Sequence, residues 1–413
     1  MTATTTPVAA KLGPLLTAAA DQLADPAIVR IADDWRTLPP SLAGGAAGIA
    51  LFHLERAASG HGDVAVARRW VRAAVDFPIS VGPNANLFYG VPTLALLLHI
   101  AAPAIGGCQR TLTTLDNRTS ALTRDRLDAA YARIDRGDPL PMREFDLVHG
   151  LTGLGAYHLH RHPDHPITHD VLTYLARITE PLDQHSNRPP WWLHSGLGGL
   201  PDPRFPHGHA NLGAAHGMSA VIALLSLAVL AGQQPPGVLE ALTRLCDWTD
   251  QHQHEDDTAG GPWWPGYVTD DPGPPRRHRP SWCYGTAGAA RAQQLAGHAL
   301  NDSLRHRRAE AAMLASLRAP NQRAALPEGS LCHGKAGLLQ ATWRTIATST
   351  NPHLAEQLAS ELPLLADDVA RQLAATPPDS PELMDGTAGI ALALHTAHTN
   401  ACVTTWDAFL LLA

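Results

Sequence analysis

Seven short glycine-led motifs recur along the chain, and no other feature limits its fold as strongly. Aligned on one glycine they read LAGGAAGIALFHL (Gly45), LFYGVPTLALLLHI (Gly90), LVHGLTGLGAYHL (Gly150), AAHGMSAVIALLSL (Gly217), WCYGTAGAARAQQL (Gly285), LCHGKAGLLQATW (Gly334) and LMDGTAGIALALHTA (Gly386). Each sets about ten apolar or small residues behind a glycine turn, a pattern that suits a helix buried on every side. Between them lie amphipathic stretches such as DVAVARRWVRAAVDF, GVLEALTRLCDWTDQ and HLAEQLASELPLLADDVARQLAA, which read as outer helices. A repeat of buried and half-exposed helices with no period-2 strand run predicts an all-α fold. Its expected form is an α/α toroid of seven inner and about seven outer helices, a single domain over residues 1–413. The spacing between glycines varies from 45 to 68 residues, so the extra length belongs to rim loops. Part of that length is the polar stretch Gly106 to Met142.

Composition narrows the partners. Hydrophobic residues make up 45% of 413, enough for a large core. A formal net charge of −7 and the lack of any long Lys/Arg run exclude a nucleic-acid binder. Met1 to Arg30 has no signal-peptide pattern, and the longest apolar run, AVIALLSLAVLA from Ala220, is too short to cross a bilayer. The expectation is a cytoplasmic protein without a membrane span. The 5 cysteines are odd in number and scattered, which points to buried thiols or a metal site rather than disulfides.

If all seven inner helices start at one end of the toroid, the residue before each glycine faces one mouth. That register reads Gly44, Tyr89, His149, His216, Tyr284, His333 and Asp385, and one place earlier stand Cys283 and Cys332. A lone cysteine is most often a small buried hydrophobe, and among 23 histidines any one is most often structural or solvated. Two cysteines at the same repeat position, one followed by histidine, change that balance. Cys283, Cys332 and His333 form the three-ligand set of an open zinc site. Adjacent residues share a metal only across a loop-to-helix boundary, which Gly334 marks. Cys108, Cys246 and Cys402 have no such context and read as packing residues.

The motifs NLGAAHGMSAV, RPSWCYGTAG, LCHGKAGL and FDLVHGLTGLGAYHL resemble those of the lanthionine synthetase C (LanC-like) family, the cyclases that form the thioether rings of class I lanthipeptides. The resemblance covers nearly the whole chain, with no separate dehydratase or kinase domain, and implies a stand-alone cyclase with a zinc-bearing α/α toroid. Residue by residue, it implies Cys283, Cys332 and His333 as ligands of one Zn2+. His216 takes the place of the active-site histidine, Asp146 of the acidic residue, Arg279 of the arginine before the first ligand and Tyr284 of the tyrosine after it. The implied substrate is a dehydrated precursor peptide. A dehydratase and a peptide transporter are the further partners, in a membrane-associated complex to which the cyclase is peripheral. His149 adds a histidine to the mouth whose role the resemblance leaves open.

The residues suit that chemistry. Two thiolates and a neutral imidazole give a neutral zinc center that takes a peptide thiol as its thiolate. Addition to a dehydroalanine or dehydrobutyrine places negative charge on the amide oxygen, which Arg279, held extended by Pro280, can face. His216, assisted by Asp146, is the acid for the α-carbon. Read by themselves, Arg279 is equally a solvated charge and Asp146 equally a helix cap. Trp191, Trp192, Trp263 and Trp264 sit in two Pro/Gly-rich loops and either line a peptide cleft or pin the loops to the body. Three competing functions stand beside the cyclase: glutathione addition to dehydrated residues, a carbohydrate-active toroid using two carboxylates, and a non-catalytic scaffold with structural zinc.

Overall fold

The computed structural model describes residues 7–32, 34–181, 188–255, 261–270 and 273–413. Helices dominate them: α1 (Pro7–Gln22), α2 (Ala46–Ala58), α3 (Val64–Val75), α4 (Val91–Ile105), α5 (Gln109–Arg136), α6 (Met142–Phe145), α7 (Leu151–Arg161), α8 (Pro166–Arg177), α9 (Met218–Leu230), α10 (Val238–Gln251), α11 (Thr286–Ala299), α12 (Ser303–Arg318), α13 (Pro320–Ala324), α14 (Lys335–Ala347), α15 (Pro352–Ala375) and α16 (Thr387–Thr399). Four two-residue strands complete the regular structure. β1 (Ala210–Asn211) pairs antiparallel with β4 (Tyr267–Val268), and β2 (His254–Glu255) with β3 (Pro262–Trp263). Among the described residues no helix is long and apolar enough to cross a membrane.

Every one of the seven motif glycines is the N-cap of a helix, and α2, α4, α7, α9, α11, α14 and α16 each start on the next residue. These are the buried helices; α9 is enclosed from Met218 to Leu225 without a break. The amphipathic segments form α3, α10 and α15. On α3 the buried residues are Ala67, Trp70, Val71 and Ala74, one face at helical spacing. Side-chain oxygens cap two of these outer helices, Asp63 on α3 and Asn351 on α15, while α10 starts at Gly237 without one; none of the seven glycine-led helices has a side-chain cap.

In five of them, α2, α4, α11, α14 and α16, a first-turn amide donates to a loop carbonyl instead. In α14 the N–H groups of Lys335, Ala336 and Gly337 donate to the carbonyls of Glu328, Gly329 and Ser330, and in α16 those of Thr387, Ala388 and Gly389 donate to Ser380, Pro381 and Glu382. The incoming loop therefore lies directly along the helix start. A Cβ on Gly389 would overlap the Leu383 carbonyl, and one on Gly217 would overlap the Asn211 carbonyl. Glycine is required at these places by contact, not by an unusual φ, because Gly217 and Gly386 are both extended.

The chain forms two compact units, Met1–Asp116 with Arg323–Trp406, and Asn117–Gln322 with Asp407–Ala413. In the first, the inner helices neighbor one another in the order α14, α16, α2, α4, with α15, α1 and α3 packed outside them. In the second the order is α7, α9, α11, with α8, α10 and α12 outside. The stretch from Gly106 to Met142 is mostly the 28-residue α5, which meets α7 through a hydrogen bond between Thr123 Oγ1 and His158 Nε2 (2.9 Å). Cys246 is buried, with burial pushing its thiol up to about 12, an inert packing group. Cys108 and Cys402 are half-buried and lie in the turns before α5 and after α16.

Gly389→Ala is expected to lower stability by about 1–3 kcal/mol, the usual cost of forcing an atom into filled space. Gly198→Ala, at an exposed glycine with nothing around its missing Cβ, should stay within about 0.5 kcal/mol of wild type. Urea unfolding midpoints of the two variants decide it; equal midpoints would refute the backbone-contact explanation.

Candidate active site

In the second unit the site is built around the turn between α6 and α7. Asp146 ends α6, and its carbonyl accepts the Gly150 N–H (3.1 Å), so the chain reverses within four residues. The Asp146 side chain is fully buried. Its Oδ1 accepts the His149 backbone N–H (2.7 Å), and its Oδ2 contacts Nδ1 of both His216 (2.6 Å) and His149 (3.2 Å). Asp146 is therefore not the helix cap that its position suggested, because α7 has no side-chain cap: one oxygen ties the turn before the helix and the other meets the two histidines. Burial alone would raise its carboxyl pKa, but the hydrogen bonds from His149 and His216 outweigh that and hold it below the ordinary carboxylate range. An ionised carboxylate only accepts, so both rings carry a proton on Nδ1 and point Nε2 away. The two imidazoles stack with centroids 5.7 Å apart and planes 18° from parallel.

Tyr284 lies beside them, its ring centroid 6.4 Å from that of His216. Its hydroxyl accepts from Asn211 Nδ2 (2.8 Å) and its ring stacks on Tyr267 at 5.2 Å. Burial and the neighboring Tyr267 hydroxyl raise its pKa, so it is a neutral phenol. Cys283 is 8% exposed, with Sγ 3.7 Å from Ser281 Oγ. Its carbonyl accepts from the N–H groups of Ala214 (2.9 Å) and Ala215 (3.3 Å), tying the SWCYG turn to the AAHG turn. Arg279 is half-buried, and its carbonyl accepts the Ser281 N–H (2.8 Å). Gly285 follows with φ 150°, a conformation that favors glycine, and a Cβ there would overlap the Arg279 carbonyl.

The first unit holds Cys332, His333 and Asp385. The N–H groups of Leu331 and Cys332 donate to the Met384 carbonyl (3.0 and 2.9 Å), the same lacing as between Ala214, Ala215 and Cys283. One ligand atom from each of Cys332, His333 and Asp385 lies within 4.8 Å of the others. His333 also contacts Glu328 through Nε2 (2.7 Å) and Asp385 through Nδ1 (3.4 Å). A thiol, an imidazole and a carboxylate converging at one turn fit a borderline-soft divalent ion such as zinc. Gly334 caps α14 immediately after the pair, so Cys332 and His333 do straddle a loop-to-helix boundary.

The four loop tryptophans are buried, at 3% to 7% exposure, and pin the loops, while Trp192 also lines a cavity beside Arg188 and His194. Trp191 packs edge-on against Trp248 (5.3 Å) and Trp263 against His254 (4.8 Å). Three neighbors of the site carry no mark in the sequence. Arg126 of α5 donates to the His149 carbonyl, Asn211 anchors Tyr284, and Glu328 pairs with His333. Asn211 at least stands within a motif; Arg126 is one polar residue among many on an outer helix.

The lanthionine synthetase C-like protein family model matches residues 36–411, and the chain belongs to that family. Among solved structures, nisin cyclase is similar over 98% of this chain and 97% of its own, with a TM-score of 0.78 at 16% sequence identity. The fold is accordingly an α/α toroid. No curated protein matches the sequence at a significant level.

The depressed Asp146 carboxyl makes a pH prediction. Its stabilising effect is complete above the ordinary aspartate pKa of about 3.9 and is lost as pH falls through the lower folded value. The stability gap between wild type and Asp146→Asn should therefore be constant from pH 6 to about 4.5 and narrow below about 4. Urea midpoints of both proteins across that range measure it, and a gap that stays constant down to pH 2.5 would contradict the ionised, doubly bonded carboxylate.

Proposed function

We propose that the protein is a zinc-dependent lanthipeptide cyclase, joining cysteine thiols of a dehydrated precursor peptide to dehydroalanine or dehydrobutyrine residues of the same peptide. The observation that carries this reading is the buried Asp146 carboxylate fixing His216 in one tautomer with Nε2 turned outward, in a member of the LanC-like family. Cys283, Cys332 and His333 are the residues that would hold the metal, and the convergence of Cys332 and His333 supports two of the three. Zinc bound there supplies a lowered thiol pKa, so that a cysteine reacts as its thiolate at neutral pH.

The remaining work falls to side chains. As the sulfur attacks the β-carbon, electrons move toward the amide oxygen, where the Arg279 guanidinium stabilises the enolate. His216 delivers a proton to the α-carbon, and Asp146 keeps the ring oriented and stabilises its charged form. Tyr284, neutral and held by Asn211, walls the site beside His216 and orders groups there by its hydroxyl. The product has the mass of the substrate, because the addition only moves a proton and forms one bond. The precursor peptide is the substrate partner, with a dehydratase and a transporter as the expected neighbors in the pathway complex.

Zinc analysis should find about one ion per chain, with Cys283→Ala, Cys332→Ala and His333→Ala each losing most of it. His216→Ala should keep its zinc and lose cyclisation by about 100-fold or more, the usual size of a general-acid effect. Full zinc occupancy in all three ligand variants, or metal loss in His216→Ala, would overturn the assignment. The donor thiol is read by mass spectrometry of a dehydrated cysteine-containing peptide incubated with and without glutathione and then alkylated. Unchanged mass with fewer alkylated thiols is the expected result. A glutathione adduct with every peptide thiol still alkylated would make the protein an intermolecular thiol-adding enzyme instead.

A further inference from the structure

We propose that His149 is a second catalytic proton carrier, the base that works opposite the His216 acid on one shared carboxylate; this rests on the cyclase reading above. Histidines that serve only the core look different in this protein. His158, two turns further along α7, is fully buried with Nε2 on Thr123, and His395 is fully buried with Nε2 on Ser59. His149 and His216 instead each leave 18% of the side chain exposed, while the Asp146 between them is sealed. Both bind the same Oδ2 through Nδ1, so both must present Nε2 to whatever occupies the site.

One carboxylate charge supports one imidazolium well and two poorly. The rings lie 5.7 Å apart, and a second proton would meet the charge of the first. Arg126, reaching in from α5 to the His149 carbonyl, adds positive charge on the Asp146 side, and Arg143 lies behind it. On the other side Tyr284 contributes a neutral phenol. The proposed cycle therefore runs with one ring charged and one neutral. His216 has the shorter contact to the shared oxygen, 2.6 Å against 3.2 Å, and the proposal gives it the part of the acid and His149 that of the base.

The addition uses one of each. The S–H bond of the incoming cysteine breaks and its proton goes to Nε2 of His149. The sulfur electron pair forms the S–Cβ bond while the C=C π pair shifts toward the carbonyl as an enolate. The Nε2–H bond of His216 then breaks and its proton goes to Cα. Nothing is oxidised or reduced. The step ends with His149 charged and His216 neutral, and a proton passing between the two exposed edges through solvent restores the starting state.

The test uses the full-length, zinc-loaded protein and the variant His149→Asn, whose amide keeps a donor toward Asp146 but offers no base in the Nε2 position. Cyclisation of a dehydrated peptide should fall about 10- to 100-fold, with zinc content and circular dichroism unchanged. The acid limb of the pH–rate profile should disappear, and added imidazole should restore part of the rate to His149→Ala. A His149→Asn rate within about twofold of wild type would overturn the proposal, as would a slower enzyme with an unaltered pH profile and no imidazole rescue. NMR titration of the ring nitrogens gives a readout without turnover: His149→Asn should shift the His216 midpoint upward, because a competing base is removed. An unmoved midpoint sinks the shared-proton pair. Loss of the cyclase reading is seen separately, as a wild-type protein that consumes no peptide thiols.

Discussion

Everything polar in the site depends on a contact between backbones at the start of each inner helix. In α2, α4, α11, α14 and α16 a loop also takes first-turn amides on its main-chain carbonyls, as Glu328, Gly329 and Ser330 do for α14. That arrangement leaves no room for a Cβ at the N-cap or, in α2, α11 and α16, one turn further in. It also frees the adjoining side chains from capping duty, because the orphan amides are already satisfied. The residue just before the glycine can then be a histidine, a tyrosine or an aspartate without loss of helix stability.

A second set of main-chain bonds brings these turns side by side. The amides two and three places before one glycine donate to the carbonyl two places before the next. Leu331 and Cys332 bond to Met384, Leu383 and Met384 to Ala43, Leu42 to Phe88, and Ala214 and Ala215 to Cys283. The seventh motif is thus joined to the first within one unit. Because the donors are backbone groups, the lacing tolerates any side chain at these positions. Chemistry can vary at the register while the geometry repeats, which is how Cys283 and Met384 occupy equivalent places with different roles.

The sequence makes the repeat legible for the same reason. Contact with a backbone admits only glycine, so all seven helix starts are marked by an unambiguous letter and each begins one residue later as expected. The outer helices declare themselves by amphipathic spacing, α3, α10 and α15 among them. In each unit the candidate cluster is legible where it reuses the register: His149, His216 and Tyr284 fall on it in one unit, and His333 in the other. It is illegible where a group arrives from elsewhere. Arg126 approaches His149 from α5, in a polar helix whose many arginines look alike, and Glu328 meets His333 from a loop with no periodicity. The tryptophan pairs were ambiguous because an aromatic in a Gly/Pro loop suits either a wall or a pin, and burial alone distinguishes them.

With 23 histidines, count and position say little about role, and the environment of each ring decides it. Burial lowers His53 to about 4 and His395 to about 3, so these rings are neutral near pH 7 and act as polar spacers. His209, sealed behind Phe205 and Tyr267, is lowered to about 4 by the same cause. A histidine that is to exchange protons near neutrality needs the opposite provision, an edge open to solvent and a fixed negative charge behind it to offset partial burial. His149 and His216 are placed differently: both are part-exposed, both meet one buried carboxylate oxygen of Asp146, and the turn that places it is the one Gly150 allows.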